Sequence, residues 1–247
     1  MKLITLYIAT ILSVLVSGIL HSQEVEVEEN RITYDYLTRL GVYASGSFLD
    51  LVGHDYTYGE TPFAVGRSSS TEIGVILRTR LFEESDFIRL KYGLAIQWNK
   101  LSPRGNKYMV DENGINNLEE FSLDLKKSEL RFTNLIVPLY FEFGPSRKIN
   151  DYNYVTFSKA RQFKIGLGGY AGFNIGSMQK LKYKEDGVSV KNKIKRDYNT
   201  TGFVYGVGAY VGYDILSIFA KYDLSPLFEN QPEDFHLLSL GLRIDLD

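Results

Sequence analysis

The sequence predicts an all-β fold, an eight-stranded antiparallel up-and-down transmembrane β-barrel. Three observations predict it. Eight segments of roughly ten residues alternate apolar with small or polar side chains, so each strand has one greasy face and one polar face. Their connections alternate between long and short, as expected of a spanning barrel with both termini on one side. An export signal precedes them all.

Composition points the same way. Eighteen Tyr, fifteen Phe and 22 Gly beside six Pro favour strands over helices. A net charge of −2 lacks the basic excess of a general nucleic-acid binder, so no nucleic-acid partner is expected. With no Cys, disulfide frameworks, thiolate metal sites and thiol nucleophiles are excluded.

Residues 1–22 read as a signal peptide, because Lys2 leads into an uncharged run ending at Leu20 and cleavage after Ser22 leaves Gln23 first. The competing reading is an uncleaved anchor, since the run approaches the roughly 18 residues that a membrane helix needs. Residues 23–37 form an acidic linker carrying Glu24, Glu26, Glu28 and Glu29, and residues 38–247 form the barrel. The strands are placed at 38–48, 70–81, 87–99, 130–143, 162–175, 202–214, 216–224 and 236–246.

In the second strand Ile73, Val75, Leu77 and Leu81 oppose Glu72, Gly74, Arg78 and Arg80. In the third, Ile88, Leu90, Tyr92, Leu94, Ile96 and Trp98 oppose Arg89, Lys91, Gly93, Ala95, Gln97 and Asn99. In the last, Leu238, Leu240, Leu242, Ile244 and Leu246 oppose Ser239, Gly241, Arg243 and Asp245. Ten residues at about 3.3 Å, tilted near 40°, rise about 25 Å, the height of an outer-membrane apolar band.

The connections 49–69, 100–129, 176–201 and 225–235 are long and polar, and 82–86 and the link near 215 are short. The link 144–161 is long for an inner turn, and part of it is expected to extend the flanking strands.

Charge sets which face looks inward. A cation facing lipid near the midplane costs about 2–4 kcal/mol, and several would exceed a typical folding stability of roughly 5–15 kcal/mol. Arg78, Arg89, Lys91, Lys221 and Arg243 therefore point inward, with Arg80 on the same face, where Glu72, Glu142, Asp214, Asp223 and Asp245 can pair with them. The lumen is expected to be a charged, hydrogen-bonded plug rather than an oily pocket. Gly166, Gly168, Tyr170 and Gly172 share one face of the fifth strand, as do Gly206, Gly208, Tyr210 and Gly212 on the sixth, so tyrosines fill space that glycines vacate. Gly166 to Ala171 also fits a dinucleotide fingerprint, but that motif must open a helix and here the alternation simply continues.

The run Lys164 to Phe173, followed by Lys182 to Gly187, Tyr205 to Ala209, Tyr222 to Phe228 and Leu238 to Arg243, resembles the PorT-type outer-membrane β-barrel proteins of Bacteroidota. Phe132 to Leu139, with Pro138 amid aliphatics, resembles a strand of that family. The resemblance covers most of 160–246 and, more loosely, 38–143. It implies a small barrel in the outer membrane of a Gram-negative bacterium and implies no activity.

Among the connections, 180–196 stands out. Asp186-Gly187 is a strong two-residue hairpin signal, and Lys180, Lys182, Lys184, Lys191, Lys193, Lys195 and Arg196 make the arm cationic. It suits phosphates of a surface glycolipid or an acidic partner, while the bland alternative is a solvated hairpin whose lysines discourage edge pairing. Outer-membrane lipid, surface glycolipid and a protein of an envelope or secretion complex are the expected partner classes.

Catalysis has little to stand on. His54 beside Asp55, with Ser68, Ser69 and Ser70 returning from the same loop, is the one conceivable set for a lipid-modifying enzyme. His236 near Asp234 reads as a rim residue, and two histidines at unrelated spacing make no metal site. Neither catalytic residues nor a cofactor is expected. The expected role is structural or interaction work in the envelope, with a narrow pore as the alternative. A soluble ligand-binding barrel would need the opposite register, oily inside and polar outside.

Overall fold

Strands form where the alternation is cleanest, and the long run from Leu125 to Phe143 shows its consequence. Even-numbered residues from Leu130 to Glu142 are buried, and the odd-numbered residues between them are half-buried or exposed. The computed structural model describes residues 33–34, 37–52, 62–83, 85–112, 114–145, 147–151, 154–158, 163–231 and 234–246. The signal-peptide segment, His54 and Asp55 lie outside the described residues.

Eight strands build the barrel: β1 (Thr38–Val52), β2 (Ser69–Phe82), β3 (Ser85–Leu101), β4 (Leu125–Phe143), β5 (Phe163–Glu185), β6 (Phe203–Tyr213), β7 (Leu216–Asp223) and β8 (His236–Leu246). Each pairs antiparallel with the next, and β8 pairs with β1 from His236↔Val52 to Leu246↔Val42, closing the ring. Closure removes the sheet edges that would otherwise template aggregation. Among the described residues no helix is long and apolar enough to cross a membrane.

Strand positions agree with the alternation to within a few residues for β2, β3, β6, β7 and β8, while β1, β4 and β5 run further toward the long connections. The second-strand row departs at one point. Leu77 is buried, flanked in register by Leu40 and Tyr92. The link 144–161 does not extend its neighbours. Arg147–Asp151 and Tyr154–Ser158 form their own hairpin, and Thr33–Tyr34 of the linker pairs parallel with it. The end of the linker is thus backbone-paired, and its acidic residues Glu24, Glu26, Glu28 and Glu29 lie outside the described residues.

The tyrosine–glycine expectation holds in reciprocal form. Gly166 pairs with Tyr210 and Gly206 with Tyr170 across β5 and β6, and a Cβ on either glycine would strike the partner ring or its hydroxyl. A Cβ on Gly74 would lie 2.6 Å from the Tyr43 ring, and one on Gly208 would lie 2.6 Å from the Tyr140 hydroxyl. A narrow eight-stranded tube holds these rings only because four wall positions lack side chains. Gly166→Val should cost about 1–3 kcal/mol by overpacking. Gly46→Ala should be nearly silent, because nothing lies within 4 Å of its Cβ position. Urea unfolding of the two variants in micelles checks the contrast.

Candidate functional site

The inward rows stack in layers. Nearest the short turns, Asp245 lies at the centre of a cation cluster: Arg243 Nη2 at 2.7 Å, Lys164 Nζ at 2.9 Å and Lys91 Nζ at 3.7 Å. Glu142 takes Lys91 at 3.0 Å and Arg89 Nε at 3.1 Å, with Arg78 Nε at 3.9 Å, and it accepts the Tyr210 hydroxyl at 2.7 Å. Asp86 accepts from Arg78 at 2.7 Å and from Arg89 at 3.1 Å. Arg80 reaches the turn and donates to the Glu83 carbonyl at 3.3 Å.

Further along the axis, Lys221 donates to Glu72 at 2.5 Å, Tyr43 donates to the other Glu72 oxygen, and Tyr170 donates to Asp223. The Arg243 guanidinium lies 4.1 Å from the Tyr43 ring centroid, adding a cation–π contact. Such charges are tolerable out of water only when paired or hydrogen-bonded: Arg78, Arg89, Lys91, Lys164, Lys221 and Arg243 each lie within 4 Å of a carboxylate, and Asp223 is held by the Tyr170 hydroxyl. Next come the amides: Asn134 and Asn99 both donate to Gln97 Oε1, at 3.0 and 3.1 Å.

The expected charge network is therefore assembled as one body from Glu72, Arg78, Arg89, Lys91, Glu142, Lys221, Asp223, Arg243 and Asp245. Arg80, expected among them, is buried but reaches the turn at Glu83, and Asp214 is the exception. It occupies the exposed β6–β7 turn with φ 55°, because the strand ends one residue earlier. Lys164 and Asp86 were not anticipated. Lys164 was readable, since it shares parity with Gly166. Asp86 was hidden by a register shift between Arg80 and Phe82, which moves it inward against strict alternation.

An oily layer closes the opposite end, correcting the expectation of a wholly ionic lumen. Leu49, Leu51, Leu101, Leu130, Phe132 and Leu237, from the long-connection halves of their strands, pack with Phe63, Met109, Tyr198, Leu227 and Phe228 from the connections. The space left between Tyr43, Glu72, Tyr140, Tyr210, Lys221 and Arg243 is about 10 Å3, and another about 10 Å3 lies beside Asn134 and Asp223, each room for one water.

Outside, the polarity inverts. Val42, Ile73, Val75, Phe141, Leu167, Ile218, Leu240, Leu242 and Ile244 are exposed. Monomeric soluble proteins rarely expose contiguous apolar patches beyond a few hundred Å2, and an apolar belt around a closed ring is the surface that hydrocarbon covers. Trp98 is 43% exposed at the long-connection end of its outward row, where an interface anchor belongs.

The cationic arm exists as a hairpin. Val188–Lys195 pairs with the end of β5, and Asp186 (φ 48°) and Gly187 (φ 79°) make the turn. Both φ values are positive, which a short Asp and a Gly tolerate best. Arg196 is held by Asp111 at 2.7 Å, on the separate hairpin Lys107–Glu112/Ile115–Glu120, so it braces two connections instead of facing a ligand. His236 Nδ1 lies 3.1 Å from the Asp223 carbonyl, with its ring beside Tyr222. Among the described residues no three His, Asp or Glu side chains gather as a metal site.

The fold and its surfaces define a class: a membrane-spanning β-barrel whose bore is filled by its own side chains. No family model and no curated protein matches the chain. Solved structures similar to it include Ail, the attachment invasion locus protein of Yersinia pestis (13% identity, 84% of this chain and 97% of that one, TM-score 0.33). Neisserial surface protein A is similar at 9% identity, over 85% and 97% of the two chains, with a TM-score of 0.35. A Rhodopseudomonas blastica porin mutant follows at 11% identity, 85% and 100% coverage and a TM-score of 0.19.

Proposed function

We propose that this chain is a sealed outer-membrane barrel of a Gram-negative envelope, exported by a cleaved signal peptide. It works as a structural or interaction protein with no chemistry of its own. The observation that carries the reading is the pairing of an oily exterior with a bore filled twice over, by the Asp245–Glu142–Glu72 ion network and by the apolar layer beyond it. A bore filled in this way leaves contact surfaces as the means of action, and the long connections supply them. The resemblance to PorT-type barrels of Bacteroidota supports an accessory role in a secretion or envelope complex.

Planar bilayers holding the purified barrel should show no discrete conductance steps. Reproducible steps that vanish on heat denaturation would replace this reading with the narrow-pore one.

A further inference from the structure

The alternation of β5 breaks between Asn174 and Gly176, where the register against β4 shifts by one residue. Without the shift, Lys180 and Lys182 would share parity with the inward Gly172. With it, Gln179 and Leu181 are buried inside, and Lys180 and Lys182 turn to the outer face. Their cross-strand partners share that face. Going outward along the strands, Arg131 and Lys195 flank Met178, then Glu129 and Lys193 flank Lys180, then Lys127 and Lys191 flank Lys182.

Below these rows on the same faces run Leu135, Thr133, Phe173 and the outward apolar belt. The barrel wall therefore passes from greasy to cationic on its outer side, within a few residues of each strand.

Like charges in direct register destabilise a sheet, and Lys127–Lys182–Lys191 places three in one row about 4.8 Å apart. Glu129 is the one carboxylate in these rows, and Lys127 (2.7 Å) and Arg131 (2.6 Å) occupy it. Burial would raise the Glu129 carboxyl, but hydrogen bonds from those two residues outweigh it and hold it below the ordinary range. Desolvation, then the charges of Arg131 and Lys127, push the Lys180 ammonium below its ordinary value. Lysines that merely blunt a sheet edge account for the Val188–Lys195 strand and for Lys127, which lies beyond the last β3–β4 pair, but not for Arg131 and Lys180, which are paired at both sides.

We propose that this ladder, on the outer wall of β4, β5 and the arm, binds the phosphate groups of a glycolipid headgroup in the surrounding leaflet. The occupant follows from position. Whatever laps the wall just beyond the belt is the headgroup layer, and multiply charged phosphates bridging neighbouring rows relieve the crowding. The inference rests on the membrane placement proposed above and adds a ligand to it.

The test inserts the full chain into phosphatidylcholine vesicles carrying a bis-phosphorylated glycolipid, its dephosphorylated form, or phosphatidylglycerol. Native mass spectrometry then reads the lipid retained after gentle extraction. The native chain should keep the phosphorylated glycolipid, and inorganic phosphate should fail to displace it. The variant K127Q/K180Q/K182Q/K191Q/K193Q should retain about tenfold less or worse, whereas K107Q/K126Q, near the same end but outside the ladder, should match the native chain. Equal retention by the five-site variant, or equal retention of dephosphorylated glycolipid or phosphatidylglycerol by the native chain, overturns the proposal. The dephosphorylated arm needs no variant, so a misfolded variant does not blunt the test. Failure of the native chain to insert would sink the membrane placement instead.

Discussion

Asp245→Asn is expected to remove about 3–5 kcal/mol of stability, a large fraction of what a barrel this size possesses. The carboxylate faces Arg243, Lys164 and Lys91, and its side chain is fully buried. An amide of the same shape keeps the packing and cancels the charge, leaving the Arg243 and Lys164 cations facing a neutral group in a dry bore. Lys91 retains Glu142, so the damage concentrates on β5 and β8. Equilibrium unfolding in urea with lipid vesicles, followed by tryptophan fluorescence from Trp98, measures it. A loss below about 1 kcal/mol, the value of a solvent-screened pair, would mean that water fills the lumen and that the bore is open.

Val75→Arg probes the opposite face. Val75 lies midway along the outward row of β2, 48% exposed and flanked in register by Val42 and Leu94. In a bilayer the guanidinium there should cost about 2–4 kcal/mol, because hydrocarbon replaces its water. On a soluble barrel the same exposed position would tolerate Arg within about 0.5 kcal/mol. Vesicle-based unfolding of native and variant chains separates the two outcomes, and a neutral result would contradict the lipid-facing belt.

Most of the architecture was legible because a two-residue period leaves little choice once charges must avoid hydrocarbon. Arg89 and Lys91 against Leu90 and Tyr92 set β3, and Arg243 and Asp245 against Leu242 and Ile244 set β8. The interlocked Tyr170 and Tyr210 were readable from the matching glycine runs. What escaped was whatever broke the period. The shift near Arg80 turned Asp86 inward, and the shift near Gly176 turned Lys180 and Lys182 outward, and a bulge has no periodic signature of its own. Asp214 looked inward only while the alternation was carried past the end of β6. The apolar end layer went unseen because Phe63, Met109, Tyr198 and Phe228 come from connections whose polarity suggested solvent, and only the tertiary fold brings them together. Within the cationic arm, composition singled out the lysines, but not Lys127 and Arg131 on the neighbouring strand.

That apolar end layer also ties assembly to topology. Leu49 and Leu51 come from the first strand and Leu237 from the last, so these side chains meet only once the seam between them is zipped. The connections then behave as a clasp. An unjoined ring would leave its clasp residues wet and sticky, and such a species would be open to proteolytic removal. Joining the circumference hides those residues in the same step that completes the wall, so a finished barrel is chemically distinguishable from an almost finished one.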